Sequence, residues 1–132
     1  MQKINSYIFV YGTLLNKENE FAAYLAMNCT FVNHAKIEGK LYDIGEYPGA
    51  VVADDGESWV YGSVFCMNGP ELILRHLDAY EGFGEGQPQP NLFVRELLTV
   101  HTLDNTLECW VYLYNLSVYG LRQIVSGNYW NI

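Results

Sequence analysis

Two places in this chain of 132 residues combine residue types and spacing that chemistry can use. The first is the turn Tyr11-Gly12-Thr13-Leu14, which follows the apolar run Ile8-Phe9-Val10 and feeds a helix-like segment. Gly12 lets the backbone take a positive φ and come close to a ligand. The amides of Gly12, Thr13 and Leu14 would then converge on one anion, helped by the N-terminus of the following helix. The same turn also reads as a plain strand-to-helix connector. The second place is Glu81, in "LDAYEGFGEG", at the end of an amphipathic helix just before a glycine stop. A carboxylate there faces the negative end of the helix dipole, and partial burial beside Tyr80 and Phe83 would raise its pKa further. A carboxyl titrating near neutrality suits a general base. The alternative is a solvated helix-end glutamate. Asp78, three residues earlier, and Glu85, in the loop beyond, are its competitors.

Other chemistries find less support. The chain has no G-x-S-x-G motif, and serines such as Ser63 fall inside strand patterns. His76 lies five residues before Glu81 and so points elsewhere on the helix. Cys29, Cys66 and Cys109 have no C-x-x-C spacing and read as free thiols, those of Cys66 and Cys109 inside apolar runs. His34, His76 and His101 show no metal-binding spacing. Tyr112 and Tyr114 share a strand face with Trp110 and read as packing, or as phenols able to hydrogen-bond a ligand in a cavity.

A formal net charge of −8, with seven scattered Lys and Arg, offers no basic footprint for nucleic acid and argues against anionic membrane surfaces. An anionic substrate must therefore be held by local donors. No apolar run is long enough to span a bilayer, and "MQKINS" lacks a signal-peptide core, so the protein is expected to be soluble and cytoplasmic.

The elements that must position these residues follow from periodicity. Residues 1–132 are expected to form one domain, since length and 50% hydrophobic content allow a core and no linker or repeat interrupts it. Residues 7–11, 37–44, 50–53, 58–67, 92–103 and 107–114 read as strands, the last two as a hairpin around "LDNT". Residues 17–27 read as a helix capped by Asn16, with Phe21, Tyr24 and Leu25 at helical spacing. "NGPELILRHLDAYEG" is the clearest helix: Pro70 suits its first position, Asn68 or Gly69 its cap and Gly82 its end, with Ile73, Leu77 and Tyr80 on one face. Leu121, Ile124 and Val125 suggest a last helix stopped by Gly127. Strands that are apolar on both faces and mostly joined without helical crossovers predict an α+β fold: a small mixed, mostly antiparallel barrel of about six strands with flanking helices.

The ordered set "VYGTL", "GKLYDIGEYPGAV", "VYGSVFCM", "LDAYEG", "LFVRELLTV", "WVYLY" and "SGNYW" resembles the gamma-glutamylcyclotransferase-like family over nearly the whole chain. The resemblance implies a small barrel whose cavity is closed by the glycine turn. It implies an intramolecular reaction in which the α-amine of a γ-glutamyl group attacks its own γ-carbonyl, giving 5-oxoproline and a freed amine. Tyr11, Gly12, Thr13 and Leu14 map onto the substrate-binding loop, and Glu81 onto the residue that takes the amine proton and returns it to the leaving nitrogen. No metal or cofactor is implied. The implied partner is a small γ-glutamyl compound, with the amine half and the oligomeric state left open. Phe93 stands where relatives often have tyrosine, "LLNKENE" lacks a common arginine and glycine, and "GNYW" is one residue longer than the usual "GDW". The rival reading is a binding module that holds such a ligand in the same cavity without turnover.

Overall fold

The structure, a computed structural model, describes residues 5–12, 20–45 and 47–129. Seven strands and two helices appear among them: β1 (Tyr7–Val10), α1 (Glu20–Asn28), β2 (Cys29–Asp43), β3 (Pro48–Val52), β4 (Trp59–Met67), α2 (Pro70–Glu81), β5 (Phe93–His101), β6 (Thr106–Tyr114) and β7 (Arg122–Ile124). Five strands close on themselves in the circuit β2-β4-β1-β6-β5, and β5 returns to β2 through Lys36 and His101. β1 and β6 run parallel and the other pairs are antiparallel, so the barrel is mixed.

Alternation on β1 explains why the strand is apolar throughout. Phe9 and Tyr11 enter the barrel interior with Ile37, Leu41, Val60, Val64, Val100 and Val111. Ile8 and Val10 face outward, under Leu25 of α1 and Ile73, Leu74 and Leu77 of α2. A strand covered on both sides loses the polar alternation of a half-exposed sheet. The helices also touch each other, with the Tyr24 and His76 rings 5.2 Å apart.

β2 is longer than the alternation at 37–44 predicts, beginning at Cys29. Its first half carries mostly exposed side chains and is held by its ladder to β4, including a register shift between Phe31 and Asn33. Its second half serves two neighbours, pairing with β3 on one side and β7 on the other. β7 corrects the expected last helix. Ile124 is buried opposite Leu41, while Val125 is 84% exposed, so the two do not share an apolar face. Arg122 pairs with Asp43 across the ladder at 3.0 Å. Three apolar residues are too few to fix a period, and strand pairing overrides them. Gly127 closes a turn, donating its N–H to Ile124 and accepting from Tyr61.

α2 forms where its local signals place it. Pro70 occupies the first turn and Gly69 the N-cap position. Gly82 ends the helix in the left-handed region at φ 73°, a conformation open to glycine at little cost. There the Phe83 N–H donates to the Asp78 carbonyl at 2.9 Å. Tyr80, expected on the buried face, is 37% exposed; Leu74 takes its place in the core. α1 spans Glu20–Asn28; the expected cap at Asn16 lies outside the described residues.

Candidate functional site

Tyr11, Gly12 and Glu81 meet at one small cavity, together with Phe9, Val10, Tyr47, Pro48, Phe93 and Tyr112. Thr13 and Leu14, the other two members of the expected loop, lie outside the described residues. Five parts of the chain converge there: the end of β1 with Gly12, the start of β3, the last residue of α2, the first residue of β5, and β6.

Glu81 is half-buried and its carboxyl faces this largely apolar lining. Burial pushes the carboxyl up to about 7, because the anion loses water there. The group therefore exchanges a proton in the neutral range.

Tyr11 is 7% exposed and its phenol is committed at both ends. It donates to the Tyr112 carbonyl at 2.6 Å and accepts from the Ala50 N–H at 3.1 Å. Burial pushes its pKa far above the usual phenol range, so it stays protonated. In this arrangement Tyr11 is a strut tying β1 to β3 and β6.

Gly12 corrects the reason given for a glycine. Its φ lies outside the positive region, where Gly45, Gly69, Gly82 and others are found. What demands glycine is Pro48. A Cβ at position 12 would stand 2.7 Å from Pro48 Cγ and 3.1 Å from its Cδ. The turn passes so close to the start of β3 that a side chain would force the two apart.

Asp78, one helical turn before Glu81, is not a second free base. Both its oxygens are held by Arg95, Nε to Oδ1 at 2.7 Å and Nη2 to Oδ2 at 3.0 Å. Oδ1 also accepts the Tyr112 phenol at 2.7 Å. Arg95 stacks over Trp110 at 4.4 Å and lies 5.7 Å from Phe83. Glu85 is exposed. The loop carrying it is fastened at its neck, where Asn91 accepts from the Gly84 N–H and donates to the Gly84 carbonyl.

Sequence reasoning misses Tyr47, Pro48 and Arg95. The first two come from the segment before and within a short strand, and only barrel closure brings them to Gly12. Arg95 carried a signal: a lone cation in an apolar strand, on an outward face. Cysteine chemistry gains nothing from the structure, since burial pushes Cys29 up to about 11 and Cys109 up to about 12, keeping both as thiols. Among the described residues no group of three or more His, Cys, Asp and Glu is placed to hold a metal.

A closed mixed barrel with two helices on one side and a carboxyl-lined cavity at its rim defines the structural class. Residues 8–131 match the family described as "Gamma-glutamyl cyclotransferase, AIG2-like". A gamma-glutamylcyclotransferase family protein, ytfP of Citrobacter rodentium, is 32% identical over 123 residues, covering 92% of this chain and 93% of the relative. The solution structure of the Escherichia coli protein ytfP is similar at a TM-score of 0.68 and 28% identity, over 95% of this chain and 96% of that one. The crystal structure of a mouse AIG2-like protein shares the fold at a TM-score of 0.71 and 23% identity, over 94% and 87%. The chain belongs to the gamma-glutamyl cyclotransferase, AIG2-like family.

Proposed function

We propose that this protein converts a γ-glutamyl amide into 5-oxoproline and the free amine, with Glu81 as the proton carrier. The observation that carries the reading is that Glu81, with its carboxyl held near neutral, and the Gly12 turn line the same cavity. The substrate's carboxylate would lie at the backbone beside Gly12, with the amides of Gly12, Thr13 and Leu14 as its proposed donors, in a chain short of positive charge. The α-amine would lie toward Glu81.

The chemistry balances within one molecule and one carboxyl. The ionised Glu81 takes a proton from the α-amine as its nitrogen bonds to the γ-carbonyl carbon, giving a tetrahedral oxyanion. The oxyanion collapses, the bond to the leaving nitrogen breaks, and protonated Glu81 returns the proton to that nitrogen. Nucleophile and electrophile belong to one chain, so orientation supplies much of the acceleration. A carboxyl near neutrality serves first as base and then as acid.

The test is incubation with γ-glutamyl amino acids, a γ-glutamyl-ε-lysine isopeptide, glutathione and γ-glutamyl amines, with mass-spectrometric detection of 5-oxoproline. Release of 5-oxoproline from at least one compound, lost in Glu81→Gln, is expected. Saturable binding across the panel with no product would replace catalysis by simple ligand binding.

A further inference from the structure

Tyr112 touches both halves of the cavity with different ends of the same residue. Its phenol donates to Asp78, one helical turn before Glu81, and its carbonyl accepts from Tyr11, the residue before Gly12. It is 4% exposed and sits on β6, which is hydrogen-bonded to β5 along its length and to β1. A barrel strand paired on both sides is a stiff mount. We propose that Tyr112 is a positioning residue that fixes the separation of Glu81 from the Gly12 turn, with the Asp78–Arg95 ion pair as its anchor; this rests on Glu81 being the base.

The chemistry of the anchor fits that task. A phenol bonded to a carboxylate is held more firmly than one bonded to a neutral acceptor. The two-point grip of Arg95 fixes the plane of the Asp78 carboxylate, and Trp110 fixes Arg95. The pair is also neutral as a unit. Residues three apart on a helix are neighbours, so an unpaired Asp78 would set a second negative charge beside Glu81. Among the described residues, the groups facing Glu81 from its surroundings are Tyr11 at the end of β1, Tyr47 before β3, Tyr112 on β6, and Asp78 on its own helix with Arg95 of β5 behind it. Tyr11 and Tyr112 are both pushed above the usual phenol range and stay neutral. Charge changes near Glu81 can therefore be made through the ion pair.

Two readouts on the full chain test the assignment: steady-state kinetics on a cyclised γ-glutamyl compound, and the titration of Glu81 by ¹³C NMR with labelled glutamate, its signal assigned by loss in Glu81→Gln. Tyr112→Phe should lower kcat by about 10- to 100-fold with a smaller change in KM, as expected for displacement of a reacting group on the ångström scale. It should also move the Glu81 midpoint down, toward an ordinary carboxylate, as water reaches a loosened helix end. Arg122→Gln, which cuts the other ion pair, should leave both readouts at parent values. Asp78→Asn uncovers Arg95 and should lower the Glu81 midpoint; Arg95→Gln uncovers Asp78 and should raise it; in the double variant the charge effects cancel and the midpoint should return toward the parent, while kcat stays lowered because the anchor is gone. Loss of the anchor should also lower kcat in both single variants; a kcat at the parent value in both overturns the anchor. An unmoved Glu81 midpoint and kcat in Tyr112→Phe overturn the positioning role. If the parent cyclises none of the γ-glutamyl compounds, the catalytic reading falls alone, and the NMR titration still decides what holds Glu81. If Tyr112→Phe does not fold, kcat in the two pair variants carries the decision.

Discussion

The Tyr11 phenol lies 2.6 Å from the Tyr112 carbonyl, joining residues 101 positions apart at the rim of the barrel. The same oxygen is the acceptor for the Ala50 N–H. Tyr11→Phe would keep the ring and strip a buried backbone donor and a buried carbonyl of this partner. A cost of about 1–3 kcal/mol is expected. It should appear as a lower urea midpoint at an unchanged m-value. A midpoint equal to that of the parent would mean that the strut contributes nothing.

Glu81→Gln keeps the shape of the side chain and removes its ability to take a proton. A positioned general base contributes about 10²- to 10⁴-fold, so kcat should fall by at least about 100-fold, or about 3 kcal/mol of barrier. Binding of the γ-glutamyl compound should persist. Glu85→Gln is the control, because that side chain is exposed and its loop is tied at the neck. Asp78→Asn is no control, given its bonds to Arg95 and Tyr112. Near-normal turnover in Glu81→Gln would remove the assignment.

The same carboxyl predicts a pH dependence of stability. Folding raises it from an ordinary 4.5 to about 7. Between those values the unfolded chain has released the proton and the folded chain still binds it, so this group makes stability fall as pH rises from 4.5 to 7 and adds no further slope above. A shift of this size corresponds to about 3 kcal/mol. Glu81→Gln lacks the penalty. Its stability relative to the parent should rise by roughly that amount between pH 4 and pH 8, measured by urea unfolding across the range. A difference that does not vary with pH would contradict the burial of the carboxyl.

Gly12→Ala tests the steric reason for the glycine. The added methyl group would stand 2.7 Å from Pro48 Cγ. The turn must then shift, and both stability and substrate binding should drop, stability by about 1–3 kcal/mol as for other overpacked sites. Pro48→Ala removes the opposing ring, so the double variant should recover part of the loss. Equal losses in the single and double variants would point back to backbone conformation as the cause.

Local signals made one half of the site readable and long-range packing hid the other. α2 and its terminal Glu81 are legible because Pro70, the apolar spacing and Gly82 agree over twelve residues. The barrel is legible in outline because strands apolar on both faces must be covered on both. β7 is misread because Leu121, Ile124 and Val125 mimic a helical face while the pairing that decides the matter, Leu41 with Ile124, is more than 80 residues away in sequence. Gly12 is recognised for the wrong reason, since its constraint comes from Pro48 and nothing in "VYGTL" encodes that contact. Asp78 looks like a rival base until Arg95 is placed beside it.

The position of β1 between β4 and β6 has a kinetic consequence. One neighbour contributes Ser63 to Cys66 and the other Trp110, so the strand leading to the Gly12 turn docks against segments made long after it. Contacts of such sequence separation slow folding, because large loops must close before they are rewarded. During synthesis the strand has to wait for β4 before one edge is paired and for β6 before the other is. An intermediate with α2 and the β5–β6 hairpin formed but β1 undocked would hold every residue of the cavity and none of its geometry. Turnover would then report barrel closure itself.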